Sequence, residues 1–172
     1  AFGPQHGLRG DKQDNMVESP DFVDPRHGIP IFSLYGEVRR PTPAMMDTFD
    51  VLLVDLQDLG CRIYTFITTL RYVLEAAARH GKAVWVLDRP NPAGRPVEGL
   101  TLRPGWQSFV GAGPLPMRHG LTLGELARWF VADVGPGKAP GPASFGLARR
   151  VHSVLPVQTQ HVLERNNQRV RH

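Results

Sequence analysis

Hydrophobic positions follow two different periods along this chain, and the switches between them mark out its elements. Residues 51–54 (VLLV) and 83–87 (AVWVL) are unbroken apolar runs, and 31–35 (IFSLY) is a third, partly apolar one. A run without alternation is the signature of a parallel strand, because helices cover both of its faces. Helical period takes over after residue 65, where Phe66, Ile67, Leu70, Val73, Leu74 and Ala77 share one face. Arg79 and His80 in the last turn and Gly81 beyond it complete a helix over 65–80. Strand 51–55, helix 65–80 and strand 83–87 then form a βαβ unit, with parallel strands and a right-handed crossover expected.

Capping residues place two more helices. Thr42 followed by Pro43 opens a short one, with proline at its first position. Thr122 and Glu125 form a capping box ahead of 123–133, with Leu121 and Leu126 at the staple positions. Residues 3–30 are punctuated by Gly and Pro with no sustained period, and a loop of that length is usually functional. Phe2-Gly3 reads as the end of a strand already under way, so a first strand and any export signal are expected to lie outside this chain. Beyond 133 the run GPGKAPGPASFG is a linker, and 147–172 is polar and weakly periodic. Residues 1–133 are thus expected to form the domain, with 134–172 poorly ordered and adding no layer to it.

Composition narrows the class. A length of 172 residues suits one domain with a real core, and 41% hydrophobic content is ordinary for a globular protein. No apolar run approaches the roughly 18 residues of a membrane span. Six of the 20 Lys and Arg residues, but only Glu164 among the 16 acids, lie from Lys138 onward. The +4 charge is therefore a property of the tail, and gives no support to nucleic-acid binding by the folded part. Cys61 is the single cysteine, which excludes an internal disulfide and a multi-cysteine metal site. It reads as an inert thiol rather than a nucleophile.

Candidate chemistry collects where the apolar runs end. The 51–54 run leads into Asp55, Gln57, Asp58, Arg62 and Tyr64; the 83–87 run into Asp88, Arg89 and Asn91; the 31–35 run into Glu37 and Arg39. The carboxyl edge of an open α/β sheet is where its ligand crevice lies. Each of these residues also has a structural reading. Asp55 and Asp88 suit helix capping, Asp58 suits a turn before Gly60, and Arg62 or Arg89 suits a salt bridge to Asp55 or Asp88. Glu98 stands in a Pro/Gly loop with no helical partner to explain it. His6 and His119 each precede glycine in similar loops, whereas His80 is explained by its helix end. Tyr64, past its strand, escapes the core reading that covers Tyr35 and Trp85.

Six segments in order, GPQHG…GDKQDNMVES (3–19), GIPIFSLYGE (28–37), RPTPAM (40–45), DVLLVDLQDLGCRIYTF (50–66), VLDRPNPAGRPVEG (86–99) and FVGAGPLPMRHGLTLGELA (109–127), carry a family resemblance. Over residues 2 to about 133 the chain resembles the amino-terminal half of the bacterial exo-β-N-acetylmuramidases, the NamZ-like family first described as a domain of unknown function. Residues 134–172 do not resemble the family's continuation. The resemblance implies a partial Rossmann-like, doubly wound α/β domain, mostly parallel, with flanking helices and a cleft toward a second domain. It implies a glycoside hydrolase that releases N-acetylmuramic acid from the non-reducing end of peptidoglycan fragments, with no cofactor and no metal. A peptidoglycan-derived sugar is then the expected partner, without nucleic acid or a membrane span, and a periplasmic or secreted location is expected.

Glycoside hydrolysis generally needs two carboxyl groups, one protonated and one ionised. The expected catalytic set is Glu98, Glu37 and Asp55. The expected substrate-binding set is Gln5, His6, Asp58, Arg62, Tyr64, Asp88, Arg89, Asn91 and His119. Arg62 and Arg89 offer planar forks for the lactyl carboxylate that distinguishes muramic acid from glucosamine. Many family members have Glu where this chain has Gln5, and an amide cannot transfer a proton at neutral pH. Either another carboxylate such as Glu18 or Glu37 serves as general acid, or this subgroup acts differently. Two other classes stay open: a metal-dependent hydrolase using His6, Asp55, Asp58, Asp88 and His119, and an inactive carbohydrate-binding fragment. A nucleotide-binding module would need a Gly-rich turn, and DLQDLGCR has one glycine in that turn.

Overall fold

A computed structural model describes residues 1–12 and 17–133 and the backbone strand at 151–154. The chain folds as strands β1 (Phe2–Gly3), β2 (Phe22–Val23) and β3 (Pro30–Ser33), helix α1 (Pro43–Met46), strand β4 (Val51–Val54), helix α2 (Thr65–His80), strand β5 (Ala83–Leu87), helix α3 (Leu123–Asp133) and strand β6 (Val151–Val154). These make an α/β fold with one parallel and one mixed sheet flanked by helices.

The βαβ unit forms as its periodicity predicts. β4 pairs in parallel with β5, Val51 opposite Ala83 through Val54 opposite Val86, and α2 makes the crossover. Gly81 closes α2 in the left-handed conformation, its amide bonded to the Ala77 carbonyl. Of the predicted stripe, Ile67, Leu70, Val73, Leu74 and Ala77 are buried, joined by Val54, Val84 and Val86 from the sheet, whereas Phe66 is only half-buried. α3 packs on α2 through Leu126, Ala127 and Phe130. Both halves of its capping box are made: the Thr122 amide donates to Glu125 Oε2 at 2.9 Å, and the Glu125 amide to Thr122 Oγ1 at 3.2 Å. The Met45 amide donates to Thr42 Oγ1, so α1 starts where its cap predicts.

Three expectations need correction. The strand near 31–35 is not hydrogen-bonded to β4 or β5; β3 belongs to a separate sheet, parallel to β1 and antiparallel to β2. The loop 3–30 also contains β2, too short at two residues to show a period. Within 134–172, expected to be poorly ordered, Val151–Val154 instead forms β6 in parallel with β5, extending that sheet by one strand. β5 carries unpaired backbone groups along that side until a strand covers them, which favours any short extended segment within reach. Residues 134–150 and 155–172, including Leu147 and Leu163, lie outside the described residues.

The two sheets share a core. Phe2 of β1 meets Phe49, just before β4, with ring centroids 5.8 Å apart. Leu52 of β4 packs both with Leu34, Met45 and Val73 and against the main cluster around α2 and β5. Among the described residues no helix is long and apolar enough to cross a membrane.

Candidate active site

The carboxyl ends of β4 and β5 deliver Asp55 and Arg89 side by side, and the two form an ion pair, Arg89 Nη2 to Asp55 Oδ1. Asp55 keeps 57% of its side chain exposed, so the pair remains in contact with solvent. Asp88, one residue earlier, is turned inward and buried. Its Oδ1 accepts from the Gly124 amide at 2.8 Å and the Arg89 amide at 3.1 Å, and its Oδ2 from Thr122 Oγ1 at 2.8 Å. Asp88 thus holds the first turn of α3, where free amides and the helix dipole favour a carboxylate.

The loop after β4 is fastened by a second buried carboxylate. Asp58 Oδ1 accepts from the Gly60 amide at 3.1 Å, and Asp58 Oδ2 lies 3.4 Å from His119 Nε2. Their side chains are 3% and 0% exposed. His119 Nδ1 accepts from the Leu121 amide at 3.2 Å, which places the ring proton on Nε2, pointing at Asp58. Burial raises the Asp58 carboxyl, opposed by the Gly60 amide and by His119; burial lowers the His119 imidazole, opposed by Asp58. His119 Nε2 and Asp58 Oδ2 face each other at 3.4 Å without forming a hydrogen bond, and both atoms are buried with no other hydrogen-bond partner. Tyr64 is raised first by burial and then by the Asp58 charge.

A third group surrounds Glu98. Its backbone pairs with Arg118 in both directions, at 3.0 and 2.9 Å, and its carboxylate meets Arg118 Nη1 at 2.8 Å. The Glu98 side chain is 64% exposed. Arg118 also donates to the Ala93 carbonyl, while Cys61 bridges to Arg118 from the other side. Segments 60–62, 98 and 117–119 therefore lie side by side, the His119 amide reaching the Gly60 carbonyl and the Arg62 amide the Met117 carbonyl. Arg62 Nη1 donates to the carbonyls of Leu100 and Leu115, both at 2.7 Å, and so ties down the 100–115 loop. Asn91 gives its amide to the Leu121 carbonyl and takes the Ala93 amide, both at 2.8 Å.

The predicted residues thus divide by role. Asp58, Asp88, Asn91, Arg62 and His119 each hold the protein's own backbone, and Asp58 and His119 also face each other in the interior. Asp55, Arg89 and Glu98 stay exposed or half-exposed in ion pairs. Gln5, His6 and Glu37 belong to the other sheet, the first two after β1 and Glu37, exposed, after β3. Glu18 pairs with Arg39 at 2.9 Å, and Arg39 lies over the Tyr35 ring at 4.1 Å. Cys61 is half-buried, its sulfur 3.9 Å from that of Met117. Among the described residues no three His, Cys, Asp or Glu side chains converge as metal ligands. Arg118 escaped the sequence reading, although its place beside His119-Gly120, in a loop already of interest, was the available signal.

The buried His119 gives stability a definite pH sign. Its folded value is lowered, so below about pH 6.5 the unfolded chain takes up a proton that the folded chain resists, and stability falls with pH in that window. The raised Asp58 acts oppositely: above about 3.8 the unfolded chain sheds its proton first, so this group costs stability as pH rises. The expected result is a falling urea midpoint from pH 7 toward 5.5 that is flatter in His119→Gln. An equal slope in the variant would assign the loss to other groups.

The α/β domain thus carries ion-paired carboxylates at the end of β4 (Asp55 with Arg89) and on a nearby loop (Glu98 with Arg118), on the side of the sheet where such folds hold their ligand crevice. The chain belongs to the family described as exo-beta-N-acetylmuramidase NamZ, N-terminal, whose model matches residues 1–149. The match runs past residue 133, so the family likeness extends into the segment expected to lack it. The chain is 48% identical over 130 residues to the peptidoglycan beta-N-acetylmuramidase NamZ of Bacillus subtilis strain 168, covering 75% of this chain and 31% of that protein. Two crystal structures of DUF1343 family proteins from Bacteroides fragilis NCTC 9343 are similar to it. One superposes with a TM-score of 0.70 at 42% identity, over 80% of this chain and 34% of the other. The second has a TM-score of 0.66 at 35% identity, over 89% and 36%. The chain spans about a third of the length of these relatives.

Proposed function

We propose that this chain is the catalytic part of a glycoside hydrolase that releases N-acetylmuramic acid from the non-reducing end of peptidoglycan fragments. The observation that carries this reading is the 48% identity over 130 residues to a peptidoglycan β-N-acetylmuramidase. Glu98, Glu37 and Asp55 remain the catalytic candidates, and the first two are exposed carboxylates set on loops rather than consumed by a helix cap. Gln5, His6, Tyr64 and Arg89 are the candidates to meet sugar, while Asp58, Asp88, Asn91, Arg62 and His119 hold the loops that present them. The reading carries with it a proposed periplasmic or secreted location, on the side of the membrane where intact peptidoglycan is built.

The same reading treats the two sheets as parts of one Rossmann-like, doubly wound sheet. All strands of β4, β5 and β6 are parallel, and the shared contacts of Phe2, Phe49 and Leu52 hold the second sheet alongside.

The test is hydrolysis by the full-length protein of para-nitrophenyl N-acetylmuramide beside the N-acetylglucosamine analogue. Release from the first and little from the second is expected; the reverse preference would sink the proposal. Arg89→Ala is expected to raise KM for the muramide more than for the glucosaminide, because only muramic acid offers a carboxylate to pair. Equal losses would leave Arg89 as the partner of Asp55 alone.

A further inference from the structure

We infer that His6 is the general acid of this hydrolysis, an assignment that rests on the muramidase reading. Position 5 is Gln5, buried and without a transferable proton. The residue beside it has one. Among the described residues His6 is the single non-glycine with a positive φ, at 72°. A side chain in the left-handed region is strained, and such strain persists where the surroundings over-determine it, most often at reactive sites.

What holds His6 there is a ring of bonds around one short loop. The Lys12 amide donates to the His6 carbonyl at 3.1 Å, and His6 Nδ1 lies 2.8 Å from the Lys12 carbonyl oxygen. A carbonyl oxygen can only accept, so Nδ1 carries a proton and the ring is fixed in plane and tautomer. Nε2 is then the nitrogen left to exchange protons, as in a catalytic histidine oriented by its other nitrogen. The Gly7 amide donates to the Pro4 carbonyl at 2.9 Å, closing the turn directly after β1. That places the ring at the carboxyl end of a parallel strand, where open α/β sheets hold ligands.

In the reaction, the His6 imidazolium gives its Nε2 proton to the glycosidic oxygen as the bond from that oxygen to C1 breaks. The leaving sugar departs as a neutral alcohol. Over the complete cycle a water hydroxyl joins C1, and the remaining water proton returns His6 to its imidazolium.

Leaving groups separate this role from a structural one, because para-nitrophenolate departs without being protonated. The variants are His6→Gly and His6→Asn in the full-length protein, both of which tolerate a positive φ. With a muramic-acid-terminated disaccharide, turnover is expected to fall about 10²- to 10⁴-fold, against less than about tenfold with para-nitrophenyl N-acetylmuramide. Added imidazole is expected to restore part of the disaccharide activity of His6→Gly. Melting temperature is expected to stay within about 4 °C of the parent. Parallel losses on both substrates without imidazole rescue, in a parent that hydrolyses both, would overturn the His6 role and leave the muramidase reading standing. A parent inert toward both substrates would overturn that reading and the His6 role with it.

Discussion

Gly120→Ala is expected to destabilise the protein by about 3 kcal/mol or more, read as a lowered urea midpoint at unchanged slope. Two costs add at this position. Gly120 has φ +67°, where an L side chain loses about 1–2 kcal/mol. Its new β-carbon would also stand 2.4 Å from the Arg95 carbonyl oxygen and 3.0 Å from the Arg95 carbonyl carbon. Both obstacles are backbone, so neither can rotate away, and the 118–121 loop must lift off the 95–96 segment. Gly28→Ala is the matched control, because its φ is +66° with nothing within 4 Å of the added carbon. It should show the conformational cost alone. Similar losses in both variants would mean that the loop shifts freely, and that the packing of Gly120 contributes little.

Glu98→Gln in the full-length protein is expected to lower muramidase turnover about 10²- to 10⁴-fold while leaving ligand binding largely intact. The amide keeps the shape of the carboxylate and still accepts a hydrogen bond from Arg118, but it carries no charge and takes no proton. At 64% exposure the ion pair itself contributes little to stability, so the melting temperature should barely move. Binding measured by calorimetry beside kcat separates the two effects. Near-normal turnover would move the carboxylate role to Glu37 or Asp55.

The site was legible in the sequence as a set of positions, less so as a set of roles. Abrupt changes from apolar to charged at 54–55 and 87–88 located the strand ends, and the structure puts Asp55 and Arg89 there as a pair. Nothing in those patterns distinguishes Asp55, exposed, from Asp88, buried against α3. That difference depends on which amides lie nearby, and Gly124 is 36 residues away along the chain. The pairing of Asp58 with His119 was invisible for the same reason, since the two lie 61 positions apart and meet only when the loops close. Arg118 went unnoticed because its partners, Glu98 and the Ala93 carbonyl, are supplied by another loop.

Local pattern by itself determined the elements whose signals are short-range. The 3.6-residue stripe of α2, the Thr122–Glu125 box of α3, the Thr42-Pro43 start of α1 and the parallel β4–α2–β5 unit are all written in residues a few positions apart. Tertiary structure decided the rest. It split the strands into two sheets and recruited Val151–Val154 to the open side of β5, a pairing across 67 residues that no local period encodes. It also decided which carboxylates are consumed in holding backbone amides and which stay at the surface. A hydrogen bond to a distant amide leaves no trace in the neighbouring sequence, whereas a helix face or a cap must be built from its own neighbours.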